Sequence, residues 1–154
     1  MKKSIDSILE KVLIFIMGVM VVNVLWQVFS RYLLQSPSSW TEELTRFLLI
    51  WLGLLGAAYA TGQKLHLAID LLPSRLEGSK ARNLDINIQV VVALFGLLAM
   101  AIGGSRLVYL TMTLEQISSA MALPMWIVYL SIPISGILIV FYSMENILRK
   151  PEQG

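Results

Sequence analysis

The segment VLIFIMGVMVVNVLWQVFS, residues 12–30, carries no charge in nineteen positions, and its amide and hydroxyl side chains are limited to Asn23, Gln27 and Ser30. A helix rises about 1.5 Å per residue and a bilayer's hydrocarbon layer is about 30 Å thick, so roughly 20 mostly apolar residues make one crossing. This segment meets that length. The preceding Met1-Lys2-Lys3 gives it the look of a secretory signal, but the run outlasts a signal's apolar region and no small-x-small cleavage site follows. An uncleaved signal anchor, the first of several spans, is the expectation.

Working outward, three further segments satisfy the same criterion: residues 44–61, 86–109 and 125–143. Arg46 interrupts the second, and Asn87, Gln89 and Arg106 mark the ends of the third. The bulk composition agrees. Hydrophobic residues make up 56% of the chain and charged ones only 14%, and the mean hydropathy is +0.73. A soluble domain needs far more surface charge than that. The expected fold is therefore an all-α integral membrane protein, a single domain over residues 1–154 with four transmembrane helices. Its net charge of +2 comes from dispersed basic residues, which excludes a nucleic-acid stripe. Without cysteine, disulfides, thiolate metal sites and thiol nucleophiles are excluded too.

Orientation follows from the excess of Lys and Arg on cytoplasmic loops. Lys2, Lys3, Lys11, Lys64, Arg75, Lys80, Arg82, Arg149 and Lys150 flank one side, and only Arg31, Arg46 and Arg106 the other. Both termini and the Gln63 to Asp85 segment are assigned to the cytoplasm. Tyr32, Trp40, Tyr109 and Trp126 then fall at the outer interface and Tyr59 and Tyr142 at the inner one, with Trp26, Trp51 and Tyr129 deeper. Residues 65–72, Leu-His-Leu-Ala-Ile-Asp-Leu-Leu, are too few to cross and end at Pro73, so a short cytoplasmic interfacial helix is expected there.

The loop Ser36-Pro37-Ser38-Ser39-Trp40-Thr41-Glu42-Glu43 holds the densest polar chemistry. Ser39 and Glu42 have capping-box spacing, and carboxylates in a first helical turn suit its positive end. Glu42 and Arg46 are spaced to pair on one helix face, and Arg31 can approach the same cluster. Bracing of helix ends or a subunit contact accounts for these groups better than catalysis does. His66 and Asp70, four apart, supply too few ligands for zinc, and a sole histidine excludes a two-histidine haem within the chain; a mutual hydrogen bond is the simpler reading. No metal or cofactor site is expected. Asn23 and Gln27 share a face of the first span and read as interhelical glue. Gly53, Ala57 and Thr61, and more loosely Gly96, Ala99, Gly103 and Gly104, form small-residue stripes that let helices approach. Pro124 fits a helix start, while Pro133 loosens the fourth span and frees a carbonyl.

The middle of every span lacks Asp, Glu, Lys and His, the groups by which ion-coupled carriers commonly work, and paired broken helices are missing too. A self-contained pump is disfavoured. Phosphate-binding glycine loops and nucleophile elbows are also absent from the sequence.

The order and spacing of several pieces resemble the small membrane subunit, DctQ-like or Q, of tripartite ATP-independent periplasmic (TRAP) transporters. The pieces are Arg31-Tyr32 closing the first span, and Trp40-Thr41-Glu42-Glu43 with Arg46 and Trp51 opening the second. Gly62-x-Lys64-x-His66-x-x-x-Asp70 follows, and Ala122-Leu123-Pro124 with Tyr129, Pro133 and Gly136 marks the fourth. Lys64 stands where arginine is more usual and keeps the charge. The resemblance implies a bacterial inner-membrane subunit that pairs with a large multi-spanning transport subunit and works with a soluble periplasmic binding protein. It further implies sodium-driven uptake of an organic acid, of the C4-dicarboxylate or sialic acid type, with substrate and sodium held by the large subunit. The apolar spans then suggest a scaffold that widens and anchors that subunit in the lipid. Two other classes compete: the membrane anchor of a respiratory enzyme, which would need intramembrane histidines for haem, and a small self-assembling exporter.

Overall fold

The computed structural model describes residues 2–36, 38–63 and 79–148, with side chains described for all but 79–81. Four helices are long and apolar enough to cross a membrane: Lys2–Tyr32, Ser39–Gly62, Arg82–Thr113 and Met125–Leu148. The first is α1 and the second α2. The third consists of α3, Ser79–Phe95, a π-helical segment Gly96–Gly103, and α4, Gly104–Thr113. The fourth comprises α5, Met125–Tyr129, and α6, Ser131–Leu148. The helices outrun the apolar segments read from sequence, most of all α1, which starts ten residues before Val12. Hydropathy marks only what must lie in lipid, whereas the backbone keeps its internal hydrogen bonds through the polar ends. The expected interfacial helix at residues 65–72 lies outside the described residues.

The chain packs as two compact units, Met1–Gly56 with Arg106–Ser131, and Ala57–Ser105 with Ile132–Gly154. In the first, the apolar core includes Leu9, Ile16, Phe47, Leu55 and Val128. α4 ends at a left-handed Glu115 with φ 48°. The Gln116 N–H donates to the Thr111 carbonyl at 3.1 Å and the Glu115 N–H to that of Met112 at 3.2 Å. This is a Schellman cap built on glutamate where glycine is usual. Beyond it Ile117 and Pro124 form an isolated antiparallel bridge. Pro124 then takes the N-cap position of α5, with φ −61° and ψ 123°.

Pro133 has its expected effect on the fourth span: lacking an N–H, it cannot donate to the Tyr129 carbonyl, and the helix is interrupted at Leu130 between α5 and α6. At the same break the Ser131 hydroxyl donates to the Val128 carbonyl at 2.7 Å.

The second unit is held by close backbone approach. Gly96, Met100 and Gly104 are buried while the residues flanking each are more open, and a Cβ on Gly136 would lie 2.7 Å from both the Gly96 carbonyl oxygen and Met100 Cβ. A Cβ on Gly104 would meet Ile132 Cγ2 at 2.8 Å. The second stripe thus works as read at Gly96 and Gly104, whereas Ala99 and Gly103 face outward. The first stripe does so only at Thr61: Gly53 and Ala57 are exposed, because α2 buries Leu55, Ala58 and Thr61 instead. Tyr142, expected at an interface, is fully buried. Its ring fills the space that Gly62 leaves, Cε1 lying 2.6 Å from where a Cβ would stand. Nearby, the Asn146 amide donates to the Thr61 carbonyl at 3.0 Å.

Gly136→Ala should destabilise the protein by about 1–3 kcal/mol through overpacking, whereas Gly18→Ala, with nothing within 4 Å of the added carbon, should be near neutral. Thermal melts of both variants in one detergent check the contrast; equal melting temperatures would remove the close-approach account.

Candidate functional site

The polar groups of the first unit gather where α1 ends and α2 begins. α1 closes with the Leu33 N–H on the Phe29 carbonyl at 2.9 Å and the Ser36 N–H on the Ser30 carbonyl at 3.2 Å. Gln35 takes a left-handed conformation, φ 51°, to turn the chain back. α2 starts at Ser39, so Ser38 stands at its cap position. Thr41, instead of the expected Glu42, reaches back, its hydroxyl donating to the Ser38 carbonyl at 2.7 Å.

Thr41 is fully buried and is the junction of the two helices. The buried Asn23 amide of α1 donates to the Thr41 carbonyl and to Thr45 Oγ1, both at 2.7 Å, and Thr45 Oγ1 donates to that same carbonyl at 2.9 Å. Both amide hydrogens of Asn23 are thereby used, as a polar group buried in an apolar setting requires. Gln27, its neighbour on the helix face, instead lines a cavity described below.

Glu42 and Glu43 diverge because successive helix positions point about 100° apart. Glu42 faces solvent and lies 4.0 Å from Arg46, both side chains being well exposed, 62% and 69%. Such a pair is worth at most about 1 kcal/mol. Glu43 turns to the loop between α4 and α5, seventy-seven residues on, where its Oε2 accepts the N–H groups of Ala120 at 3.0 Å and Met121 at 2.8 Å. The loop is shaped for this contact. Ser118 N–H donates to the Leu123 carbonyl at 2.8 Å, Ser118 Oγ accepts the Leu123 N–H at 3.2 Å, and Ala122 adopts φ 51°. The stretches Trp40 to Glu43 and Ala122 to Pro124, separate in sequence, are thus brought to one place.

The remaining expected residues divide. Arg31 and Glu42 line one cavity of about 240 Å³ with Gln27, Ser38 and Ser39. Trp40, with Phe15, Gly18, Val22, Trp26 and Leu44, lines an open apolar groove of about 560 Å³. Trp51 is half-buried in α2, and Tyr129 is half-buried at the end of α5. His66 and Asp70 lie outside the described residues. Among the described residues no three His, Cys, Asp or Glu side chains converge as metal ligands would. Sequence reasoning missed Thr41 and the amides of Ala120 and Met121. The signal for Thr41 was present in its four-residue spacing from Thr45, but backbone donors leave none.

A family model described as "Tripartite ATP-independent periplasmic transporters, DctQ component" matches residues 20–152. The chain is 30% identical over 153 residues to the sialic acid TRAP transporter small permease protein SiaQ of Vibrio cholerae, covering 97% of this chain and 84% of that one. It is 32% identical over 106 residues to the C4-dicarboxylate TRAP transporter small permease protein DctQ of Rhodobacter capsulatus, covering 69% and 46%. A third relative is the isethionate TRAP transporter permease protein DctMQ of Oleidesulfovibrio alaskensis, 32% identical over 98 residues, 62% of this chain but 15% of that far longer one.

Glu43→Gln removes the charge from the acceptor and should weaken its two hydrogen bonds by about 1–3 kcal/mol. Exchange protection of the Ala120 and Met121 amides should fall by about tenfold or more, with α1 amides unchanged. Unaltered protection at those two amides would show that the carboxylate does not hold the loop.

Proposed function

Because the chain belongs to the DctQ component family of TRAP transporters, we propose that it acts as the scaffold of a sodium-coupled organic-acid uptake system. It anchors a large permease subunit that carries the substrate and sodium sites. A soluble periplasmic binding protein delivers the acid, a sialic acid or a C4-dicarboxylate in keeping with the names of its relatives. The protein sits in the bacterial inner membrane with both termini cytoplasmic, which places the Glu43 brace on the periplasmic side.

The observation that carries this reading is where the chain hides its apolar surface. Within the best span windows, 44% of the fourth helix is buried but only 11% of α1 and 17% of the third. Most of the apolar area therefore faces lipid or another protein. The centres of the spans hold no Asp, Glu, Lys, Arg or His, so ion coupling has to be supplied by another chain. Asn23, Thr41 and Glu43 meanwhile fix the α1–α2 junction and the α4–α5 loop. A fixed frame with wide apolar flanks suits a static partner for a moving transport domain. The occurrence of a matching stretch within the much longer DctMQ relative supports a small and a large permease part working together.

Purification from native membranes should bring down one large membrane subunit, and the pair, not this chain alone, should take up the acid into proteoliposomes on a sodium gradient. Arg46→Ala should lower the co-purified large subunit roughly fivefold, as for an interface arginine worth about 1 kcal/mol. Uptake by this chain by itself would end the scaffold reading.

A further inference from the structure

The open groove between α1 and α2 calls for an occupant that neither helix supplies. Phe15, Gly18, Val22 and Trp26 recur at three- and four-residue intervals along α1, and Trp40 and Leu44 form the flank from α2. From Phe15 to Trp26 is three helical turns, about 16 Å. Phe15, Val22 and Trp26 are exposed, and a Cβ added to Gly18 would meet nothing within 4 Å, so a notch stands open along a membrane-crossing helix. Small residues in such spans let a neighbouring helix come close.

Asn23 makes the groove selective. It lines the groove although the residue as a whole is buried, and both hydrogens of its amide are committed to α2. What it presents is the carbonyl oxygen, Oδ1, which no donor among the described residues reaches. The polar atoms sealed off without a partner are others, Ser38 Oγ and Ser135 Oγ among them, so Oδ1 keeps accessible surface and can accept a hydrogen bond from outside. Asn23 stands seven residues before Ser30, about 10 Å below that end of the apolar segment. At that depth an acyl chain offers only C–H groups and leaves the acceptor unpaired in hydrocarbon, which is costly. A second copy of this chain brings its own Asn23 with the amide hydrogens already spent. A membrane helix that is apolar along one face and carries a side-chain donor midway meets both demands, as polar uncharged side chains do between helices in lipid.

We propose that the α1–α2 groove seats one transmembrane helix of the large permease subunit, which packs along Phe15, Gly18, Val22 and Trp26 and donates a side-chain hydrogen bond to Asn23 Oδ1. This rests on the scaffold reading and adds to it the face and the polar contact by which the two chains meet.

Photo-crosslinking in native membranes that contain both subunits tests this. Benzoylphenylalanine in place of Phe15 or Val22 should crosslink to the large subunit about tenfold more than in place of Met17 or Val24, which are exposed on the opposite face of α1. The peptide captured from the Val22 position should be an apolar segment with a side-chain donor within one turn of the attachment point; a segment without one would overturn the hydrogen bond. Val22→Trp, which fills the groove from an exposed position and leaves the fold intact, should cut the co-purified large subunit about tenfold, while Val24→Trp should leave it unchanged. If the large subunit co-purifies with the wild type and is retained in full by Val22→Trp, the groove is not its seat, and the scaffold reading stands without it. Failure of the large subunit to co-purify at all would remove the scaffold reading, and this seat with it. Crosslinks from Phe15 and Val22 to a second copy of this chain, or to lipid alone, would overturn the proposal in favour of a self-contact or a lipid-facing surface.

Discussion

Hydrocarbon offers no hydrogen bonds, so a polar group carried into a span is costly unless it finds a partner within the protein. The junction of α1 and α2 is a solution to that constraint. The Asn23 amide would be costly against lipid, but it is sealed between the Thr41 carbonyl and Thr45 Oγ1, and so becomes a cross-link. The same logic recurs in the second unit, where the Asn146 amide closes on the Thr61 carbonyl, and along α2 and α4, where threonine hydroxyls return to carbonyls one turn back. Polar residues in these helices specify which helix lies against which, since their alternative is an unsatisfied group in an apolar medium.

Apolar attraction between helices is weak when lipid is as apolar as leucine, so close packing has to supply what the hydrophobic effect supplies in water. That is the role of Gly96, Gly104 and Gly136 in the second unit, where backbone meets backbone and no side chain could be interposed. Gly62 does the same for the buried ring of Tyr142. Elsewhere the spans expose their large side chains, α1 most of all.

The chain belongs to the DctQ component family of TRAP transporters. Transport needs ionisable and substrate-binding groups at depth, and the centres of these spans are devoid of charge. The charged side chains gather towards the helix ends, where the Glu43 carboxylate holds a loop by its amides and Arg31 and Glu42 line one cavity.

The four spans were legible in the sequence because partition into lipid is a nearly additive property of local composition: twenty apolar residues cross wherever they stand. The break before Pro133 was legible for a similar reason, since a missing N–H acts on its own helix. Asn23 could be read as an interhelical contact, but its acceptors could not. The choice between Glu42 and Glu43 was decided only by the tertiary structure. The two are identical in type and adjacent, and what distinguishes them is a pair of amide donors seventy-seven and seventy-eight residues away. Backbone N–H groups belong to almost every residue, so their convergence on one carboxylate has no sequence signature. It arises only when the fold has set the loop's direction.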